Sequence, residues 1–162
     1  MPDTACIRDV MSAAAVTFRP DDTVEVALRR LLDLDASGGP VIDADGKVVG
    51  MLTDGDLIVQ EAEVPTPTAL GIFGALLQSR HRREEFDEQV QKAFGTTVAE
   101  LMEPEVIVCN PDDTVEQAAT VMHEHDISRL PVVDADGTLL GLVTRRDLLR
   151  HLLASYRPEG SA

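Results

Sequence analysis

The chain has 162 residues and an apolar fraction of 44%, which suits one ordinary domain or two small domains that share a core. Its formal net charge of −15 and its few aromatic residues (no Trp, one Tyr, four Phe) argue against DNA or RNA as a partner. With two cysteines, no signal-peptide pattern and no apolar run approaching the roughly 20 residues of a membrane span, the sequence predicts a cytoplasmic protein without a disulfide framework or membrane insertion.

An internal repeat organises the chain. The segments Val10–Leu57 and Leu101–Leu148 align without a gap at an offset of 91 residues, and 20 of their 48 paired positions are identical. The longest identical run joins Pro20–Glu25 to Pro111–Glu116. Such a match indicates a tandem duplication of a unit of roughly 55 residues.

The second copy shows how one unit is built. A short apolar stretch, Val106–Val108, ends at Asn110-Pro111. Asp113 then stands where a helix N-cap would, with Glu116 three residues later to complete a capping box. Apolar residues at helical spacing predict a helix from Thr114 to about His125, with one face buried.

A hairpin and a second helix complete the unit. Leu130–Val133 and Thr138–Val143 are predicted strands, joined by the turn Asp134-Ala135-Asp136-Gly137, in which Gly can take a positive φ. A second helix follows from Thr144. Each unit is thus β-α-β-β-α, and the fold class is α/β (α+β), with two such repeats packed as a pseudo-twofold pair that shares a core.

The segment between the copies belongs to neither. Val64-Pro65-Thr66-Pro67 ends the first unit, and two short amphipathic helices are predicted at Thr68–Ser79 and Glu84–Phe94. The basic run Arg80–Arg83 between them fits a solvated helix junction better than a partner contact. The predicted organisation is a first domain over 4–62, a helical insert over 63–96 that packs on the module or at a dimer surface, and a second domain over 97–155.

The ordered motifs resemble a tandem pair of cystathionine-β-synthase (CBS) domains, often called a Bateman module. Each copy has a V-M or L-M start, a P-D-D-T-V-x-x-A helix entry, a P-V-[IV]-D-x-x-G hairpin and a G-[ML]-[LV]-T-x-x-D-L ending. The resemblance implies a regulatory module that binds an adenosine-type ligand in a cleft between the domains and transmits occupancy to a partner protein. It also implies a homodimer.

In that family, the final motif supplies an Asp to the ribose hydroxyls and a Thr near the ribose and phosphate, while the first strand offers backbone groups to the adenine. The resemblance therefore implies a ligand site at Thr144 and Asp147, with Val106, Ile107 and Val108 beside the base. Arg145, Arg146 and Arg129 are candidates for a local phosphate clamp. The alternative is that Thr144 caps a helix, Asp147 completes a capping box and the arginines are solvated.

The first copy keeps Thr53 and Asp56 but differs around them. Asp54-Gly55 replaces the arginine pair, and Gly38-Gly39 replaces Arg129-Leu130. A carboxylate beside a phosphate would repel it. The second copy is therefore expected to hold the nucleotide, and the first to be weaker, empty or suited to a less charged ligand.

The sequence favours a module without catalytic residues or an obligatory cofactor, whose regulatory ligand is AMP, ADP, ATP or S-adenosylmethionine. A ligand-independent dimerisation scaffold of the same fold is the alternative. No metal site is expected, because His123 and His125 lie two residues apart on a helix and point in different directions. Neither Cys6 nor Cys109 has an evident base nearby in the sequence.

Overall fold

The structure, a computed structural model, describes residues 5–14, 16–57 and 95–156. Helix α1 (Ile7–Val10) leads into the first repeat, which contains helix α2 (Val24–Asp33), strands β1 (Gly38–Ile42) and β2 (Val48–Thr53) and helix α3 (Asp54–Leu57). Helix α4 (Val98–Leu101) leads into the second repeat, which contains α5 (Val115–Glu124), β3 (Arg129–Val133), β4 (Leu139–Thr144) and α6 (Arg145–Ser155). The predicted insert helices Thr68–Ser79 and Glu84–Phe94 lie outside the described residues. The predicted α/β fold class is confirmed.

The described chain divides into two compact units that do not follow the order of the sequence. Of the described residues, 5–14, 46–48 and 107–156 form the repeat-2 unit. Residues 16–45, 49–57 and 95–106 form the repeat-1 unit. The short segment before each repeat, with its helix, thus belongs to the unit of the other repeat.

Helix α1 completes the core of the repeat-2 unit. Ile7 is fully buried there among Met122, Leu130, Val132 and Val143. The backbone N–H of Ile7 donates to the Asp113 carbonyl at 2.8 Å, and Ser12 pairs with Leu142 at the edge of β4. Apolar burial and backbone hydrogen bonds therefore both hold the N-terminal segment on the second repeat.

Helix α4 has the same place in the repeat-1 unit. Val98, the counterpart of Ile7, is fully buried among Phe18, Val41, Leu52 and other core residues. Its N–H donates to the Asp22 carbonyl at 2.8 Å, and Met51 and Glu103 exchange backbone hydrogen bonds. The two units thus follow one plan, in which each core is closed by the segment that precedes the other repeat.

The predicted N-cap of the second repeat's first helix was one residue too early. Thr114 caps α5 and accepts the Gln117 N–H, and Gln117 returns a bond to the Thr114 N–H at 2.8 Å. Asp113 instead accepts the Asn110 N–H at 2.8 Å, which closes the turn before the helix. Thr and Asp are both good N-caps, so the local sequence offers two adjacent positions for the start of the helix.

The hairpin prediction is confirmed, with strand ends shifted by one residue. Arg129 pairs with Thr144 and Leu130 with Val143 in the antiparallel β3–β4 register. Gly46 and Gly137, the last residues of the two equivalent turns, have φ of 78° and 83°. Only glycine takes this conformation without strain, which explains why the turn motif recurs in both copies.

Candidate functional site

Thr144 and Asp147 form a complete capping box at the start of α6. Oδ2 of Asp147 accepts from both the N–H and the Oγ1 of Thr144 at 2.8 Å, and Thr144 Oγ1 accepts the Asp147 N–H at 3.3 Å. The side chain of Asp147 is only 11% exposed. Thr144 and Asp147 therefore have the geometry of a helix cap. The cap holds the carboxylate through Oδ2 and leaves Oδ1 for other partners.

The first repeat has nearly the same hydrogen-bonded Thr–Asp arrangement at the end of β2. Oδ2 of Asp56 accepts from the Thr53 N–H at 2.7 Å and from the Thr53 hydroxyl at 3.1 Å. The Thr-x-x-Asp motif has one local structure in both copies. Any functional difference between them must come from the residues around it.

Those surroundings differ most in charge. In the repeat-2 unit, Arg129 lies directly opposite Thr144 across β3–β4, and Arg145 and Arg146 are exposed in the first turn of α6. The structure thus collects the three predicted arginines at one end of the hairpin. A guanidinium is a strong donor to phosphate oxygens, and a helix N-terminus adds unpaired N–H groups and positive dipole.

The repeat-1 unit has no such cluster at the matching positions. Gly38 is buried where the second copy has Arg129, while Asp54 and Gly55 are exposed where it has Arg145 and Arg146. Two carboxylates, Asp54 and Asp56, thus stand in the four residues of α3 without an arginine on that helix. The charged residues at this end of the first repeat are thus acidic, where the second repeat has arginines.

The predicted base-binding stretch is not a strand. Residues 106–108 have no regular structure, and parallel pairing with β3 starts only at Cys109, whose N–H donates to the Pro131 carbonyl at 3.0 Å. Ile107 packs against the repeat-2 core, whereas Val108 is 40% exposed. Val106 is assigned to the repeat-1 unit, so the structure places only Ile107 and Val108 in the unit of Thr144 and Asp147.

Two residues beside the site were missed by the sequence interpretation. Arg150 donates to Asp147 Oδ1 at 3.1 Å, and Asp126 lies 3.6 Å from the Arg145 guanidinium. The i, i+3 spacing of Asp147 and Arg150 on a helix could have indicated the first contact. Arg150 is 72% exposed, so a ligand hydroxyl can replace it at Oδ1 at little cost.

Cys109 is buried in the core of the repeat-2 unit. Burial, and to a smaller extent the negative charge of Asp113, raise the pKa of its thiol from 9.0 to about 11. The thiol is therefore neutral at physiological pH and packs as a small apolar side chain.

Stability is expected to fall at high pH because of this thiol. The thiol has a higher pKa in the folded state than in the unfolded state. Its contribution to the free energy of unfolding is therefore intact below about pH 9 and is lost as the pH rises through about 11. The loss should be on the order of 2 kcal/mol. Urea unfolding at about pH 8 and pH 10.5 should show a smaller pH effect in Cys109→Ala than in the wild type. Equal pH effects in the two proteins would contradict the assignment to Cys109.

Two other kinds of feature are absent from the part of the chain that the structure describes. Among the described residues, no group of three or more His, Cys, Asp or Glu is placed to hold a metal ion. In the same part of the chain, no helix has the length and apolar character needed to cross a bilayer.

The chain belongs to the CBS domain family. The family model matches residues 7–62 and 98–154, which are the two repeats. An uncharacterized protein of Methanocaldococcus jannaschii is 35% identical over 153 residues, with 91% of this chain and 90% of that protein covered. The predicted tandem CBS pair is therefore confirmed.

Solved CBS structures resemble the whole layout. The CBS domain of a CBS domain containing membrane protein from Sphaerobacter thermophilus has a TM-score of 0.69 and 31% identity, covering 91% of this chain and 87% of that one. CBSX2, from Arabidopsis thaliana, has a TM-score of 0.71 and 28% identity, covering 94% and 99%. That CBSX2 structure is a complex with AMP.

Proposed function

We propose that this protein is a regulatory module that binds an adenine nucleotide (AMP, ADP or ATP) at the Thr144–Asp147 end of the repeat-2 unit. Nucleotide occupancy shifts the population of its conformations, and a separate partner protein reads the change. The module itself carries out no chemistry. The AMP complex of its relative CBSX2 supports the ligand class.

One observation carries the proposal. In a chain with a formal charge of −15, Arg129, Arg145 and Arg146 gather at the N-terminus of α6, beside a carboxylate with an oxygen to offer. A phosphate needs local positive charge to overcome the general repulsion of an acidic protein. Cis-diol hydroxyls need an acceptor such as Asp147 Oδ1. Groups suited to the phosphate and to the ribose hydroxyls of a nucleotide therefore lie together at one end of one hairpin.

The capping box supports this role and does not compete with it. Because Oδ2 of Asp147 is held by the Thr144 N–H and hydroxyl, the carboxylate keeps one orientation. A ribose would then meet a preorganised acceptor and lose less conformational entropy on binding. Arg150, now bonded to Oδ1, is the group that it displaces.

Nucleotide binding should depend on Asp147 and hardly at all on Asp56. Asp147→Ala removes a charged acceptor worth about 1.5–3 kcal/mol, so the Kd for AMP should rise by roughly ten- to a hundredfold. Asp56→Ala breaks the equivalent capping box and is the matched control. Calorimetric titration of both variants measures the difference, and equal losses would contradict a site confined to the second repeat.

The arginines provide a second variant that keeps the cap intact. Replacing Arg145 and Arg146 by Gln should weaken ATP binding more than adenosine binding, since only ATP has phosphates to contact them. The salt dependence of ATP binding should fall in the same variant. An unchanged ATP affinity would remove the arginines from the site while the test of Asp147 remains valid.

A second candidate function, a dimerisation scaffold, is favoured by the outer face of α6. None of the residues of this helix is buried, and its residues Leu149, Leu152 and Leu153, with the C-cap residue Tyr156, are 63–75% exposed. Their i, i+3, i+4, i+7 spacing forms a single apolar stripe. Such a stripe marks an interaction surface, and a second copy of the chain is the proposed occupant.

Leu152→Glu is expected to shift the protein from dimer to monomer, because a charge buried in an apolar interface costs several kcal/mol. Ala154→Glu is the control: Ala154 is exposed on the same helix but lies away from the stripe. Light scattering coupled to size-exclusion chromatography gives the mass. A monomeric wild type, or dissociation by both variants, would contradict an α6 interface.

Thermal unfolding with added nucleotides distinguishes the two candidate functions. Nucleotide should raise the unfolding temperature of a sensor, whereas a scaffold that binds no ligand should show no change.

A further inference from the structure

Helix α5 carries an open groove with a volume of about 710 Å³ on the repeat-2 unit. It is lined by Asp113, Thr114, Glu116, Gln117, Thr120 and Val121. The groove lies on a different helix from the Thr144–Asp147 site. Its equivalent in the first repeat is known residue by residue, because the two copies align without a gap.

In the first repeat, two arginines cover the matching surface of α2. Arg30 bonds Asp22 Oδ2 at 2.5 Å and the Thr17 carbonyl at 3.2 Å. Its neighbour Arg29 bonds Glu25 at 2.8 Å and 3.1 Å through two nitrogens. Two adjacent arginines of α2 thus pair with two carboxylates, Glu25 in the first turn of the helix and Asp22 just before its N-cap.

The second repeat keeps both carboxylates and lacks both arginines. Asp113 and Glu116 match Asp22 and Glu25, while Thr120 and Val121 replace Arg29 and Arg30. The local backbone is the same, since Asp113 accepts the Asn110 N–H just as Asp22 accepts the Arg19 N–H, both at 2.8 Å. In the described part of the chain, neither Asp113 nor Glu116 forms an ion pair; the nearby Arg8 pairs with Asp112 instead. At the positions of the groove residues Thr120 and Val121, the first copy therefore has two arginines, which pair with the equivalent carboxylates.

We propose that this α5 groove binds a partner protein through a segment with two neighbouring arginines. The first repeat shows that this arrangement of carboxylates holds an arginine pair, and the strongly acidic chain would attract a basic segment at long range. The hydroxyl of Thr120 is turned back to the Glu116 carbonyl at 2.9 Å, so it leaves the Glu116 carboxylate unused. The proposal specifies the chemistry of a partner and does not depend on nucleotide binding.

A short peptide with two central arginines, blocked at both ends and carrying a fluorophore, is the probe. Fluorescence anisotropy at about 0.15 M ionic strength should show one site on the wild-type protein, and the peptide with two lysines should bind more weakly. The double change Thr120→Arg and Val121→Arg restores the residues of the first copy. It should weaken peptide binding at least tenfold and leave AMP binding unchanged.

The opposite exchange is the gain-of-function test. Arg29→Thr with Arg30→Val opens the equivalent groove on α2 and should raise the stoichiometry from one peptide to two.

A charge control for the groove variant uses two exposed turn residues. Ala44→Arg with Ala135→Arg adds the same charge as Thr120→Arg with Val121→Arg and should leave the affinity for the peptide within about twofold. The proposal is overturned if the wild type fails to bind the peptide, if the turn variant loses as much affinity as the groove variant, or if the stoichiometry does not rise.

Discussion

Ile7→Ala is expected to destabilise residues 107–156, about a hundred positions away in the sequence, and to leave residues 16–57 almost unchanged. Ile7 is fully buried in the core of the repeat-2 unit, where its loss leaves a cavity. Large-to-small changes of this kind cost about 2–5 kcal/mol. Amide hydrogen exchange, read segment by segment, measures where protection is lost.

Val98→Ala is the matched variant. Val98 has the position of Ile7 in the other copy and is fully buried in the repeat-1 unit. Protection should now fall in residues 16–57, by somewhat less because valine is one methylene smaller. If either substitution instead weakened only the repeat that follows it in the sequence, the observed exchange of segments would be wrong.

The sequence could not predict this exchange, for a physical reason. The segments that precede the two repeats both offer one apolar anchor and a nearby methionine, Ile7 with Met11 and Val98 with Met102. Each anchor fits either core nearly equally well by size. The choice depends on the path of the whole chain, which local pattern does not specify.

The fold of each repeat, in contrast, was predictable because its signals are local. The Asp-Ala-Asp-Gly turns need a residue with positive φ, and Gly46 and Gly137 supply it. The Thr-x-x-Asp motifs specify a helix start through hydrogen bonds between residues three apart. The misplaced cap at Asp113 shows the limit: two adjacent residues could both cap, and backbone contacts with the distant N-terminal segment bear on the choice.

The candidate site was predictable in the same degree. Arg145 and Arg146 are the two middle residues of the Thr-x-x-Asp motif, and the register of a simple hairpin brings Arg129 opposite Thr144. The contact between Arg145 and Asp126 was not predicted, because it joins the start of α6 to the turn after α5. The expected strand at 106–108 does not form, because backbone pairing with β3 begins only at Cys109.

Gly39→Leu is expected to destabilise the repeat-1 unit by about 3 kcal/mol or more, although the second repeat has a fully buried leucine, Leu130, at this position. A Cβ at Gly39 would lie 2.3 Å from the Val16 carbonyl oxygen and 2.8 Å from Val16 Cγ1. Backbone cannot yield as a side-chain tip does, so the strand or the Val16 segment must move. Thermal unfolding together with hydrogen exchange of residues 16–57 measures the effect.

Gly55→Arg is the matched control, since it also installs the second copy's residue, Arg146, in the first copy. A Cβ at Gly55 meets only the Thr53 hydroxyl, at 3.5 Å, and the residue is exposed in α3. The change should be neutral or stabilising by up to about 1 kcal/mol, because glycine is a poor helix former. A loss below about 1 kcal/mol in Gly39→Leu would mean that Val16 can move aside, as its counterpart Ile107 already lies less deeply than Val16. In that case the fold of the first repeat would not require glycine at position 39. Val16 would lie close to Gly39 only because the glycine leaves room for it.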